Sequence, residues 1–126
     1  MSIVYDRVAL IGLGLIASSM FWAIKRSGLA NEVTGFARSS ETRQTARRIG
    51  LCDRVCETAK DAVEGADLVV LCVPIGAMEA VAKDISSALK QGATVSDVGS
   101  VKRAVIDAVA PSIPDNVHFV PAHPLA

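Results

Sequence analysis

The chain has 126 residues, enough for one compact domain and too few for two ordinary ones. Of these, 51% are hydrophobic and 21% charged, the balance of a globular domain with a real core. Thirteen basic residues match 13 acidic ones, so no basic excess invites a polyanion, and a nucleic-acid partner is not expected.

Read in order, strands alternate with helices along the whole chain. Arg7 to Ile11 is a short β-favouring run that stops at Gly12. Leu15 to Ser27 reads as a helix with Ile16, Met20, Ala23 and Ile24 on one face and Gly28 as its stop. Glu32 to Ala37 is a second strand. Ser40 to Ile49 is a polar helix, with Ser40 suited to the N-cap and Gly50 to the C-terminal stop. Another short helix ends over Asp61 to Gly65.

Leu68 to Val73 is a continuous apolar run closed by Pro74, the pattern of a strand covered on both faces. Gly76 to Leu89 follows as a helix with Ala77, Val81, Ile85 and Leu89 in register, and Ala93 to Ser96 is the next strand. A helix over Ser100 to Val109 stops near Pro111, and Val117 to Val120 is the last strand. This alternation predicts an α/β fold of Rossmann type, a doubly wound and mainly parallel sheet with helices on both faces, over residues 1–126. Ligands of such sheets sit beyond the carboxyl ends of the strands.

Two features could mislead. The uncharged stretch from Val8 to Ile24 falls short of the roughly 20 apolar residues of a spanning helix and contains Gly12, Gly14, Ser18 and Ser19, so no membrane segment is expected. Cys52, Cys56 and Cys72 form an odd set without a secretory signal before them, which points to free thiols in a reducing, cytoplasmic setting. No second Cys/His pair accompanies Cys52 and Cys56, so no metal site is expected.

Gly12-Leu13-Gly14-Leu15-Ile16-Ala17 lies between the first strand and first helix as a G-x-G-x-x-A sequence. Gly12 permits a tight turn, Gly14 lets backbone approach a pyrophosphate, and Ala17 is small enough for close packing of helix on strand. The amides and positive dipole end near Leu15 and Ile16 would face the phosphates. The second strand ends in Phe36-Ala37-Arg38-Ser39-Ser40, without the acid that NAD-preferring units place about 20 residues on. A guanidinium at Arg38 with hydroxyls at Ser39 and Ser40 suits a 2′-phosphate and favours NADP, with NAD as the alternative. Arg38 could equally stack on adenine or face solvent.

Further along the same edge, Cys72, Val73 and Pro74 make either a turn beside the nicotinamide or a plain strand-to-helix connection. In Asp97-Val98-Gly99-Ser100-Val101-Lys102, Ser100 could be the helix N-cap, and Lys102 opposes the helix dipole, which either an anionic ligand or simple exposure would explain. His118 fits a structural role within the last strand. His123 lies past that strand between Pro121 and Pro124, where an imidazole could take the proton released as a hydride leaves an alcohol carbon.

The segments Gly12 to Ile16, Cys72 to Pro74, Asp97 to Lys102 and His123-Pro124-Leu125-Ala126 together resemble the prephenate dehydrogenase family, which includes arogenate and cyclohexadienyl dehydrogenases. The resemblance implies oxidative decarboxylation of prephenate or arogenate in tyrosine biosynthesis. His123 would match the histidine that deprotonates the ring hydroxyl, and Ser100 the serine that helps to hold it. Ala17 replaces a glycine common in the family. The family's helical dimerisation domain, with its substrate-gripping arginine, is expected to be absent here, because the sequence stops at Ala126. A homodimer is therefore implied only for the full-length protein, and the fragment alone should bind nucleotide but turn over poorly. Rival readings are a β-hydroxyacid or imine reductase and a non-catalytic nucleotide-sensing module.

Overall fold

The computed structural model describes residues 4–121. Six strands form one sheet in the order β3-β2-β1-β4-β5-β6, and every neighbouring pair is parallel. The strands are β1 (Tyr5–Ile11), β2 (Ala30–Phe36), β3 (Arg54–Val55), β4 (Leu68–Leu71), β5 (Thr94–Asp97) and β6 (His118–Phe119). The helices are α1 (Leu15–Ser27), α2 (Ser40–Ile49), α3 (Ala59–Val63), α4 (Ile75–Ile85) and α5 (Lys102–Val109). This is the expected Rossmann-type doubly wound architecture, in which the order of strand addition switches sides between β1 and β4.

Alternation along the central strands explains the two layers. Ala9 and Ile11 point to one face, where they join Val69, Leu71 and Val95 under α3, α4 and α5. Val8 and Leu10 point to the other, where they meet Val33, Val70, Ala17, Phe21 and Ile24 under α1, with Ala46 of α2 beyond. Thr34, fully buried between β2 and α3, meets its hydroxyl requirement by donating to the Ala62 carbonyl at 2.7 Å.

Several boundaries and faces differ from the sequence reading. On α1 the buried residues are Ala17, Phe21 and Ile24, whereas Ile16 is 46% exposed and Ala23 faces outward. Turning the helix by one position buries the aromatic ring of Phe21 beside Ala17 and Ile24. On α4 Ile85 is buried as expected, but with Met78 and Ala82, while Val81 and Leu89 pack only partly against the same core. That helix begins at Ile75, not Gly76, and its last turn tightens to 3₁₀ over Ser86–Ala88. Strand β4 stops at Leu71, two residues before Val73, and the Cys72 amide still reaches the Ile11 carbonyl of β1. The two-residue β3 has no counterpart in the expected elements.

Helices α1 and α2 lie over the β1–β2 half of their face. The other half leaves a cleft of about 640 Å³ lined by Ile16, Met20, Val70, Ser96, Val98 and Val120 among others. Among the described residues, no helix is long and apolar enough to cross a membrane.

Candidate functional site

Strand register brings four chain segments to one edge. Phe36 pairs with Ile11, Ile11 with Leu71, and Leu71 with Asp97, so the loops that follow β2, β1, β4 and β5 all leave the sheet at one level. Three strand-to-strand steps of about 4.8 Å separate the outermost two. Gly12 to Ile16, Arg38 to Ser40, Cys72 to Pro74 and Ser100 are thereby gathered on this edge. His123, the remaining candidate, lies outside the described residues.

The β1 loop is fixed from below and open above. The Gly12 amide donates to the Phe36 carbonyl at 2.8 Å, and the Cys72 amide donates to the Ile11 carbonyl at 2.7 Å. Gly12 has φ of +100°, and a Cβ there would lie 2.7 Å from the Cys72 carbonyl oxygen, so only glycine fits between the ends of β2 and β4. Leu13 turns its side chain down onto Gly35 beside the Cys52 sulfur, which anchors the loop. A Cβ on Gly14, by contrast, would meet nothing within 4 Å.

The N-terminus of α1 is electrostatically bare. Gly14 occupies the N-cap without a side chain to cap it, no acid lies in the first turn, and Leu15 is 85% exposed. The leading amides of a 13-residue helix therefore present partial positive charge above the Gly14 opening. Ala17 is completely buried, and its lone methyl allows α1 to pack closely on the sheet.

At the end of β2, Ala37 is buried while Arg38, Ser39 and Ser40 are exposed. The N-cap of α2 is Ser39 rather than Ser40: its Oγ accepts from the Thr42 amide at 3.4 Å. Ser40 is already the first helical residue, because the extended backbone required of an N-cap falls one position earlier. Arg43, overlooked in the sequence, organises this segment. Its Nη1 donates to the carbonyls of Ala37 at 2.7 Å and Arg38 at 2.9 Å, its guanidinium lies 5.6 Å from the centre of the Phe36 ring, and Glu57 pairs with it at 3.3 Å. Arg47 also contacts Glu57, and these two arginines hold its carboxyl below the usual range.

Beyond β4, Pro74 stands at the N-cap of α4, and burial pushes the Cys72 thiol up to about 12. A thiol so strongly neutral is a packing group rather than a nucleophile.

Beyond β5, Ser100 is exposed and does not cap α5; that position belongs to Val101, and no side chain caps the helix. Lys102 is only partly exposed and has an anion of the chain beside it. Its ammonium lies 2.6 Å from Oδ2 of Asp97, a carboxylate with no solvent exposure, so the anion that offsets the helix dipole comes from the chain itself. Asp97, to which the sequence reading gave no role, also accepts from the Gly99 amide at 2.7 Å. The Asp-x-Gly spacing was the available signal, since aspartate commonly accepts from the amide two residues on.

The edge so built is that of a dinucleotide-binding unit, and comparison with known proteins agrees. Residues 21–126 match the family described as prephenate dehydrogenase, nucleotide-binding domain. The chain belongs to that family. It is 42% identical over 123 residues to the cyclohexadienyl dehydrogenase of Zymomonas mobilis, covering 98% of this chain and 42% of that protein. The prephenate dehydrogenase of Lactococcus lactis is 34% identical, with 95% of this chain and 34% of the relative covered. Among solved structures, Aquifex aeolicus prephenate dehydrogenase in complex with hydroxyphenyl propionate and NAD+ superposes with a TM-score of 0.85 at 26% identity, covering 99% of this chain and 43% of that one. Synechocystis arogenate dehydrogenase gives 0.81 at 26% identity, with 94% and 40% covered. The chain thus spans well under half the length of these relatives.

Proposed function

We propose that this chain is the cofactor-binding half of a cytoplasmic NADP-preferring dehydrogenase that oxidatively decarboxylates prephenate or arogenate. The observation that carries the reading is the bare N-terminus of α1 above the open Gly14, on the same edge as the Ser100 turn, in a member of the prephenate dehydrogenase family. A pyrophosphate suits that opening, because helix amides and dipole supply the positive potential and no side chain competes for them. Gly12 to Ile16 would hold the diphosphate, and Cys72, Val73 and Pro74 would border the nicotinamide.

The 2′-phosphate reading rests on chemistry at the end of β2. Arg38 and Ser40 are exposed there, and the segment from Ala37 to Ser40 brings no carboxylate to repel a second phosphate, the first acid being Glu41 in the opening turn of α2. Arg43 steadies the backbone that carries Arg38. Ser39 accepts from the Thr42 amide and still has its O–H to donate.

The bound nicotinamide would accept the hydride from the ring carbinol carbon, and the ring would aromatise as carbon dioxide leaves. The chain's own part would be proton handling and alignment. His123 would take the proton of the ring hydroxyl as the C–H bond breaks, and Ser100 would hold that hydroxyl in line. The remaining substrate contacts, and a dimer interface, would come from a helical domain like that of the family. A full-length enzyme carrying His123→Asn should lose turnover by at least about 100-fold while keeping its nucleotide affinity. Unimpaired turnover in the variant would overturn the catalytic assignment, and a full-length protein that binds nucleotide without turnover, and keeps its biological role with His123→Asn, would favour a sensing module instead.

A further inference from the structure

The turn after β5 is held in a way that the exposed serine at its crest does not explain. Asp97 is the last residue of β5 and 1% exposed, in a setting where an unpaired carboxylate would be strongly unfavourable. One of its oxygens, Oδ2, accepts from the Gly99 amide at 2.7 Å and from the Lys102 ammonium at 2.6 Å. Both bonds converge on one atom from the two sides of Ser100 in sequence, so they pin the residue before it and the second residue after it. The turn is held elsewhere too. The Val98 amide donates to the Leu71 carbonyl at 3.2 Å, and the Val105 amide donates to the Val101 carbonyl at 3.1 Å. There is no slack beneath: a Cβ on Gly99 would lie 2.6 Å from Cγ2 of Val105 and 3.1 Å from Oδ2 of Asp97.

We infer that Asp97 is a positioning residue whose carboxylate, through Gly99 and Lys102, fixes where the Ser100 hydroxyl stands on the cofactor edge. This rests on the reading that Ser100 holds the substrate hydroxyl. A buried carboxylate neutralised by a lysine from the first turn of α5 is an expensive way to close a turn that a serine or threonine cap could close. It gives rigidity instead, since the ammonium and the amide share one acceptor and neither end of the turn can shift alone. Reacting groups displaced by about 1 Å lose on the order of 100-fold in rate, so rigidity here has a kinetic consequence. Lys102, already committed to Asp97, acts in this scheme through the turn rather than on the substrate.

The test uses the full-length enzyme and four variants: Asp97→Asn, Gly99→Ala, Ser100→Ala and the double variant Asp97→Asn/Ser100→Ala. Asp97→Asn keeps the shape but removes the charge that holds Lys102. Gly99→Ala leaves every charge in place and displaces the turn sterically, which keeps the test alive if the buried asparagine prevents folding. Each of these two should lower kcat by on the order of 100-fold while moving the NADPH Kd by less than about twofold, assayed well below its own Tm. The double variant should fall no further than Ser100→Ala alone, because both changes disable one unit. Multiplying losses, or kcat deficits that follow Tm and vanish on cooling, would overturn the inference and leave Asp97 a merely stabilising group. Failure of the functional reading has a separate signature. Wild-type enzyme without turnover on prephenate or arogenate would sink that reading, whereas exchange of the Gly99 amide, quickened at least about tenfold by Asp97→Asn, reports the clamp by itself.

Discussion

The carbonyl oxygen of Cys72 closes the space beside Gly12: a methyl group built on that glycine would stand 2.7 Å from it, and 2.8 Å from Cγ1 of Val73. The obstacle is backbone from the neighbouring strand end, which cannot swing aside as a long side chain could. The glycine is needed twice over, for this approach and for its positive φ of +100°. Gly12→Ala should therefore destabilise the domain by about 3 kcal/mol, combining overpacking with backbone strain. Thermal unfolding followed by circular dichroism should show a Tm lower by roughly 10 °C. An unchanged Tm would mean that the ends of β1 and β4 are not packed as described.

Cofactor choice turns on Arg38. Its replacement by alanine should weaken NADPH binding by about tenfold or more and NADH binding by less than about twofold, because the charge-assisted bond to a 2′-phosphate is lost and nothing else is. Fluorescence titration with both nucleotides checks this. Equal losses would assign Arg38 to the adenine, and no loss would leave it a solvated surface arginine.

The buried thiols predict a pH dependence with a definite sign. Burial, reinforced by the neighbouring Asp53 charge, pushes Cys52 up to about 12 from an ordinary 9.0, and burial alone does the same to Cys72. In the unfolded chain these thiols ionise first, so above pH 9 the unfolded state binds fewer protons than the folded one. Their stabilising contribution is complete below 9 and is lost as pH rises toward 12. Urea midpoints should fall more steeply across that window for wild type than for Cys52→Ala/Cys72→Ala. Parallel curves would show that the thiols are exposed in the native state.

How much of this was legible in the sequence depends on where the information lies. Helices α1 and α2 have the expected bounds because glycines end them: Gly28 and Gly50 both adopt left-handed backbone, with φ of 69° and 75°. The glycine-rich loop and its helix were equally plain, since that chemistry is local. Strand β3 was not, because two residues, Arg54 and Val55, pair only with Thr34 and Gly35 and carry no apolar run. The start of α5 was misjudged for a different reason. Ser100 has the chemistry of a cap, but the turn is organised by Asp97, and the burial that makes its carboxylate demand Lys102 exists only once β5 is inside the sheet. Arg43 was invisible for the same kind of reason, being one of several basic residues on a polar helix until folding turns it toward the Ala37 carbonyl.

The most direct measurement is a fluorescence titration of the chain and its Gly14→Val variant with NADPH and NADH. Gly14 has open space above it and an ordinary negative φ of −107°, so valine should leave folding intact while filling the volume where a diphosphate would approach. Saturable binding to the wild type, tighter for NADPH, and a loss of at least about 100-fold for both nucleotides in a folded variant are the results expected. A wild-type chain that binds neither nucleotide, or a variant that binds as well as wild type, would contradict a diphosphate resting on the amides of α1.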